Sequence, residues 1–215
     1  MDDRAAAVAH LRAADEVLAG IIDRIGELPT DEDEAESRGR PSDHYGALVR
    51  SIVGQQLSTK AARAIYLRLC DRFGGRTPTP EEVLADDPEE LRAAAGLSRM
   101  KVSFLRSLAE HVQDGSIELD RIAELSDDDV IAELTAVKGI GEWSAHMYLM
   151  FHLRRPDVLA WGDLGVRRAV QLAYGLEEAP LRVELTEIAE PWRPYRTLAC
   201  RYLWESLDAT PVDAD

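Results

Sequence analysis

The sequence predicts an all-α protein. Apolar residues recur at three- and four-residue spacing along most of the chain, the mark of helices with one buried face. No stretch of any length alternates apolar and polar residues as a half-buried strand does. Helix punctuation is also frequent: Ser58, Ser98 and Ser126 precede apolar-periodic runs, and Gly175 follows one.

Taken in order, residues 3–25 read as one amphipathic helix, with Val8, Leu11, Val17, Leu18, Ile21 and Ile22 on its apolar face. Residues 29–41 carry Asp31, Glu32, Asp33 and Glu34 between two prolines and read as a mobile polar connector. Ser42 is expected to cap a helix on which Tyr45, Leu48, Val49, Ile52 and Val53 recur. That helix ends in Gly54, Gln55, Gln56 and Leu57, and Ser58 starts another that reaches Phe73. A turn-rich loop, 74–80, leads to short helices at 80–85 and 88–95, then to 96–112 with a Ser98 cap. Ser126 with Asp127, Asp128 and Asp129 supplies an N-cap and an acidic first turn; Ile131, Leu134 and Val137 follow at helical spacing. Trp143, Met147, Met150 and Phe151 line one face of the next helix, which Pro156 stops. A helix runs from Asp163 to Tyr174, another covers 181–190, and the last spans Pro194 to Leu207, with proline in its first turn.

A 215-residue chain, 46% hydrophobic and 30% charged, is long enough for a sizeable core in one compact unit or two small lobes. No apolar run is long enough to cross a bilayer, and the start, MDDRAAAVAH, is acidic where a secretory signal is basic. The expectation is a cytoplasmic protein with no membrane partner. Cys70 and Cys200 form no CxxC pair and are expected as reduced, buried thiols; two cysteines also cannot ligate a four-cysteine iron–sulfur cluster. His10, His44, His111, His146 and His152 show no metal-ligand spacing, so no metal site is expected.

The net charge of −15 argues against nucleic acid only if charge is treated as a scalar. Residues 38–76 hold Arg38, Arg40, Arg50, Lys60, Arg63, Arg68, Arg72 and Arg76 against Asp43 and Asp71 alone. A basic segment in an acidic chain predicts weak, salt-sensitive non-specific DNA binding. The hairpin Val137-Lys138-Gly139-Ile140-Gly141 points the same way. Its glycines allow a tight reversal, and the helix that follows directs backbone N–H groups and the positive dipole end at an anion. The same residues also suit an αα-hairpin that only packs two helices.

Context favours the first reading. VKGIGEWSA resembles the helix-hairpin-helix core of the DNA base-excision glycosylase superfamily, and Trp161-Gly162-Asp163-Leu164-Gly165-Val166-Arg167-Arg168 matches the loop that carries that family's catalytic Asp. LVRSIVGQQLSTKAARAI resembles the 3-methyladenine DNA glycosylase II type, and residues 192–196 with Trp204 match that type's closing segment. The resemblance covers roughly Ser42 to Leu207 and implies two helical lobes around a cleft. One lobe is expected at 43–154 and the other from 1–42 with 155–215, in a compact form without the extra N-terminal α/β domain of larger members.

The resemblance also implies roles. Asp163 is the candidate catalytic carboxylate; Asp157 stands where the family has a loop acid without chemistry. Trp143 occupies the position at which lyase-competent members carry a Schiff-base lysine, so base removal without strand cleavage is expected. Trp143, Trp204, Met147, Tyr202 and Trp161 are candidate walls for a flipped base, a cationic alkylated purine stacking well on an electron-rich ring. Met147 replaces a second aromatic common in the family, and Leu164 a Tyr found in some members, which implies a more open pocket. Gln56, with Leu57 beside it, is the candidate plug for the gap left in the duplex; Gln55 is either a helix-end or a base-edge hydrogen-bonder. Lys101 is either a phosphate contact or a solvated lysine, and Lys138, Gly139, Ile140 and Gly141 should face phosphate. No cofactor is expected beyond a monovalent cation that the family implies at 137–141. The expected partner is double-stranded DNA with alkylated bases, bound by a monomer. The rival readings are a glycosylase for uncharged damaged or deaminated bases, a non-catalytic helix-hairpin-helix DNA-binding module, and a helical scaffold with an acidic protein-binding surface.

Overall fold

The computed structural model describes residues 3–37 and 39–208, so Arg38 and both chain ends lie outside the description. Helix makes up 68% of the structure, and no strand occurs among the described residues. In chain order the helices are α1 (Asp3–Ala14), α2 (Glu16–Ile25), α3 (Asp31–Ser37), α4 (His44–Gly54), α5 (Thr59–Arg72), α6 (Pro80–Ala85) and α7 (Pro88–Ala95). They continue with α8 (Arg99–Gln113), α9 (Asp127–Ala136), α10 (Glu142–Phe151), α11 (Leu164–Tyr174), α12 (Arg182–Ile188) and α13 (Arg196–Asp208). The chain divides into two compact units, 1–34 with 154–215, and 35–153; the division falls at 34/35 rather than the expected 42/43. Arg40, whose guanidinium lies 4.5 Å over the Phe151 ring, ties the start of the second unit to its end.

In the first unit α13 packs on α2 and α11, and α1 on α2. Leu11, Leu18, Ile22, Val170, Trp192 and Leu203 are buried there. The single helix expected over 3–25 is two. Asp15 breaks it, because its Oδ1 accepts the N–H groups of Val17 and Leu18 and so competes with the helical carbonyls. The other oxygen, Oδ2, takes the Tyr174 hydroxyl and, at 2.8 Å, the Trp192 indole N–H. Asp15 thereby pins the α1–α2 corner to α11 and to the 3-10 turn at Glu190–Trp192.

In the second unit α4 packs on α5, α8 and α10, and α8 on α6 and α7. Leu48, Ile52, Leu69, Leu91, Leu105 and Leu134 fill its core. Local details differ from the sequence reading. The acidic connector holds a helix, α3. Asp43 rather than Ser42 caps α4, accepting the Gly46 N–H at 2.6 Å. The last helix begins at Arg196, two residues beyond Pro194. The caps at Ser58, Ser98 and Ser126 form as expected.

Candidate active site

The carboxylate of Asp163 caps α11, and its Oδ1 accepts the Val166 N–H at 2.8 Å. The same oxygen accepts the indole N–H of Trp204 at 2.8 Å. Two directed donors on one oxygen fix the rotamer of a half-buried acid. Gly165 packs closely here: a Cβ at that position would fall 3.0 Å from both Asp163 Oδ1 and Trp204 Cδ1, so a side chain there would press on the acid and its donor. Beneath the loop lies Cys200, fully buried, with the Ala160 N–H facing its sulfur; burial pushes the thiol up to about 12. Asp157, the neighbouring acid, is engaged by Arg193 at 2.7 Å and by Arg196 at 2.7 Å, so its charge is spent on structure.

Three expected wall residues belong to this first unit, and their placements differ. Trp204 lies with its ring edge on the candidate catalytic carboxylate, and so positions the acid whatever else it touches. Trp161 carries the Arg182 guanidinium over its face at 4.5 Å. Tyr202 is corrected: it is 2% exposed, inside the core, with its hydroxyl donating to the Gly26 carbonyl at 3.2 Å. A tyrosine so placed cannot form the wall of an open pocket.

The second unit holds a cavity of ≈ 340 Å³. Trp143, Met147 and Phe151 from α10 line it together with Gln55, Gln56 and Leu57 from the α4–α5 turn. The expected base-wall and plug residues of this unit therefore meet in one place. The apolar stripe Trp143, Met147, Phe151 is not the core face of α10; Ala145, Tyr148 and Leu149 are, while Trp143 remains 44% exposed. The plug turn is held stiffly. Gln56 adopts φ 59°, an uncommon left-handed conformation for a non-glycine, and Leu57 is left exposed.

Two polar side chains support that turn, each through hydrogen bonds within the protein. Gln55 Nε2 donates to the Gly139 carbonyl at 2.8 Å, which links the plug turn to the hairpin. Lys101 Nζ donates to the carbonyls of Val53 at 2.7 Å and Gln55 at 2.9 Å, a cap on the C-terminal end of α4. Burial holds its ammonium below the ordinary lysine range. Two of its three donors are thus committed to the protein rather than to phosphate.

The hairpin is closed by Ile140 N–H to the Val137 carbonyl at 3.0 Å, and the Lys138 N–H donates to Ser107 Oγ at 3.2 Å. Gly139 has φ 88°, and a Cβ there would fall 2.3 Å from the Phe104 ring, so both conformation and space demand glycine. Gly141 is the N-cap of α10. The Val137 and Gly139 carbonyls each accept one hydrogen bond and retain a second lone pair, which suits a monovalent cation.

The sequence reading missed one cluster. His44 Nδ1 lies 2.9 Å from Tyr148 Oη and 2.9 Å from His152 Nε2, and the Tyr148 and His152 rings stack at 4.9 Å. Tyr148 and His152 line the cavity, and burial raises the Tyr148 phenol. No local spacing signals a contact between residues more than a hundred positions apart. Among the described residues no group of His, Cys, Asp or Glu could hold a metal ion. No described helix is long and apolar enough to cross a membrane.

The model of the HhH-GPD superfamily of base excision DNA repair proteins matches residues 49–194, which hold the plug turn, the hairpin and the Asp163 loop. The chain belongs to that superfamily. Among curated HhH-GPD proteins, DNA-3-methyladenine glycosylase 1 of Schizosaccharomyces pombe is 38% identical over 164 residues, covering 75% of this chain and 72% of the relative. With other curated relatives the share of their length that is spanned falls to 59% and to 34%. The solved structure of the Schizosaccharomyces pombe enzyme in complex with abasic DNA aligns with a TM-score of 0.80 at 33% identity, over 94% of this chain and 96% of that one. A DNA-3-methyladenine glycosidase from Bacillus halodurans aligns at 0.78 and 38% identity, over 95% and 89%. Both are helical HhH-GPD structures of similar extent.

Proposed function

We propose that this protein is a monofunctional DNA glycosylase of base excision repair, which hydrolyses the N-glycosidic bond of an alkylated purine in double-stranded DNA and leaves an abasic site. The observation that carries the reading is Asp163: one carboxylate, held by two donors on one oxygen, in the loop that follows the hairpin-borne helix. As the C1′–N bond breaks, its electron pair leaves with the base and positive charge builds on the deoxyribose. A fixed carboxylate stabilises that charge without reorganising, and it can accept a proton from the water that bonds to C1′. A purine alkylated at N3 or N7 departs as a neutral base, which lowers the demand for a general acid.

Trp143 supports the monofunctional part, since an indole offers no amine for a Schiff base. Its exposed ring in an apolar-lined cavity also suits stacking with a cationic base. Gln56 and Leu57 are the proposed plug, and the Lys138 side chain with the Gly139 and Gly141 amides the phosphate contacts, the Ile140 N–H being used to close the hairpin. A monovalent cation held by the carbonyls of Val137 and Gly139 would neutralise part of a DNA phosphate there.

A second reading has its own support. Tyr148 and His152 bring hydrogen-bonding groups to the same cavity, which a cationic purine recognised by stacking does not need. Such groups suit an uncharged oxidised or deaminated base. The test is base release from duplexes carrying 3-methyladenine, 7-methylguanine, hypoxanthine, 8-oxoguanine or uracil. Release of the methylated bases, with strand breaks only after hot alkali, is the expected result. Release confined to the uncharged lesions replaces the first reading by the second, and DNA binding without any release leaves a non-catalytic module.

A further inference from the structure

One side of α13 runs along the loop that carries Asp163, and its residues tie that loop position by position. Thr197 makes three of the contacts. Its hydroxyl donates to the Arg155 carbonyl at 2.6 Å and accepts the Val158 N–H at 3.0 Å, and its own N–H donates to the Pro156 carbonyl at 3.0 Å. Arg196 fills the remaining place, bonding the Asp157 carboxylate at 2.7 Å and the Asp157 carbonyl at 2.7 Å. One turn further on, the Ala160 N–H faces the Cys200 sulfur; one turn beyond that, Trp204 holds Asp163 itself. Residues 197, 200 and 204 lie at helical three- and four-residue spacing, so they share one face.

We infer that Thr197 is a positioning residue for base release: its hydroxyl sets the register of the 155–163 loop on α13, and through that register the placement of Asp163. The inference rests on the reading of Asp163 as the catalytic carboxylate. The Thr197 bonds are all to the loop backbone, so its effect on Asp163 is transmitted through the backbone. The hydroxyl is used as donor and acceptor at once, which valine, its near isostere, cannot reproduce and serine can. Losing it removes the two hydrogen bonds that the hydroxyl makes to the Arg155 carbonyl and the Val158 N–H at the root of the loop, and the loop then shifts. A displacement of about 1 Å at a reacting group costs roughly 10²-fold in rate, far more than it costs in binding.

The experiment compares wild type with Thr197→Val and Thr197→Ser. It reads single-turnover base release from a 7-methylguanine duplex, affinity for a duplex with an abasic-site analogue, and the thermal midpoint. The expected result is release slowed about 10- to 100-fold in Thr197→Val, with affinity within about twofold and recovery in Thr197→Ser. If Thr197→Val does not fold, Arg196→Lys decides, because it breaks the planar two-pronged grip on Asp157 while keeping the charge; a several-fold slower release at unchanged affinity is expected. Wild-type rates in the folded Val variant, or equal losses in Val and Ser, overturn the inference. So does an unchanged rate in Arg196→Lys where the Val variant is unfolded. A wild type that releases no base from any lesion duplex overturns the glycosylase reading and this inference with it, whereas indifferent variants of an active wild type overturn this inference alone.

Discussion

At the residue scale, Trp204 has a role that its sequence position did not signal. Its place in the closing segment suggested a wall for the base, yet its indole N–H donates to Asp163 Oδ1 at 2.8 Å. Trp204→Phe keeps a ring and loses only that donor. Single-turnover release should fall about 10- to 150-fold, the worth of one charge-assisted hydrogen bond of about 1.5–3 kcal/mol, while the fold is kept; an unchanged rate would show that Val166 alone fixes the acid. The thiols are also specific. Burial pushes Cys200 up to about 12 and raises Cys70 above the ordinary thiol range. A thiol whose pKa is raised on folding favours the native state below its unfolded value, and that contribution is lost as pH rises toward the folded one. At pH 8 neither cysteine should react with a thiol reagent until the chain unfolds; rapid labelling of native protein would contradict the burial. Asp163 and Trp143 were legible because each stands at a fixed offset from the hairpin. Thr197 and His44 were not, because their roles come from contacts 42 and 104 positions away.

At the element scale, most helices could be read from caps and periodicity, and the exceptions share a cause. The break at Asp15 was hidden by a continuous apolar pattern on both sides; only the tertiary demand of Tyr174 and Trp192 shows why the acid turns inward. The helix α3 lacks an apolar stripe altogether, so periodicity could not announce it. On α10 the expected face splits: Trp143, Met147 and Phe151 line the cavity, whereas Met150, expected beside them, is buried in the core. The hairpin gives a sharp prediction at this scale. Gly139→Ala puts a methyl 2.3 Å from Phe104 at φ 88°. Destabilisation of about 1–3 kcal/mol is expected from overpacking alone, with more from the backbone, and DNA affinity should fall with it. Urea unfolding checks the first and binding to abasic duplex the second; a variant as stable as wild type would show that the reversal is looser than the structure has it.

At the scale of the whole molecule, the basic run at 38–76 was read as a DNA-facing surface, and the structure divides it. Arg72 is bonded to Asp86 and Glu90, and Arg76 to Glu82, so both charges are largely spent within the protein. Arg68 bonds the Ala95 carbonyl. Lys60 and Arg63 are exposed on α5. In a chain of net charge −15, affinity for undamaged duplex should therefore be weak and steeply salt-dependent through few contacts. Lys60→Ala should reduce the slope of log affinity against log salt by about 1, with no change in the single-turnover rate. A slope that does not move would place the phosphate contacts on the hairpin alone.

The most direct measurement is base release by Asp163→Asn on the preferred lesion duplex, with circular dichroism and abasic-duplex affinity recorded in parallel. Asparagine still caps α11 and still offers an oxygen to Val166 and Trp204, so fold and binding should survive. Loss of the carboxylate charge alone should slow release by roughly 10²- to 10⁴-fold. A folded Asp163→Asn variant that releases base at the wild-type rate would contradict the account at its centre.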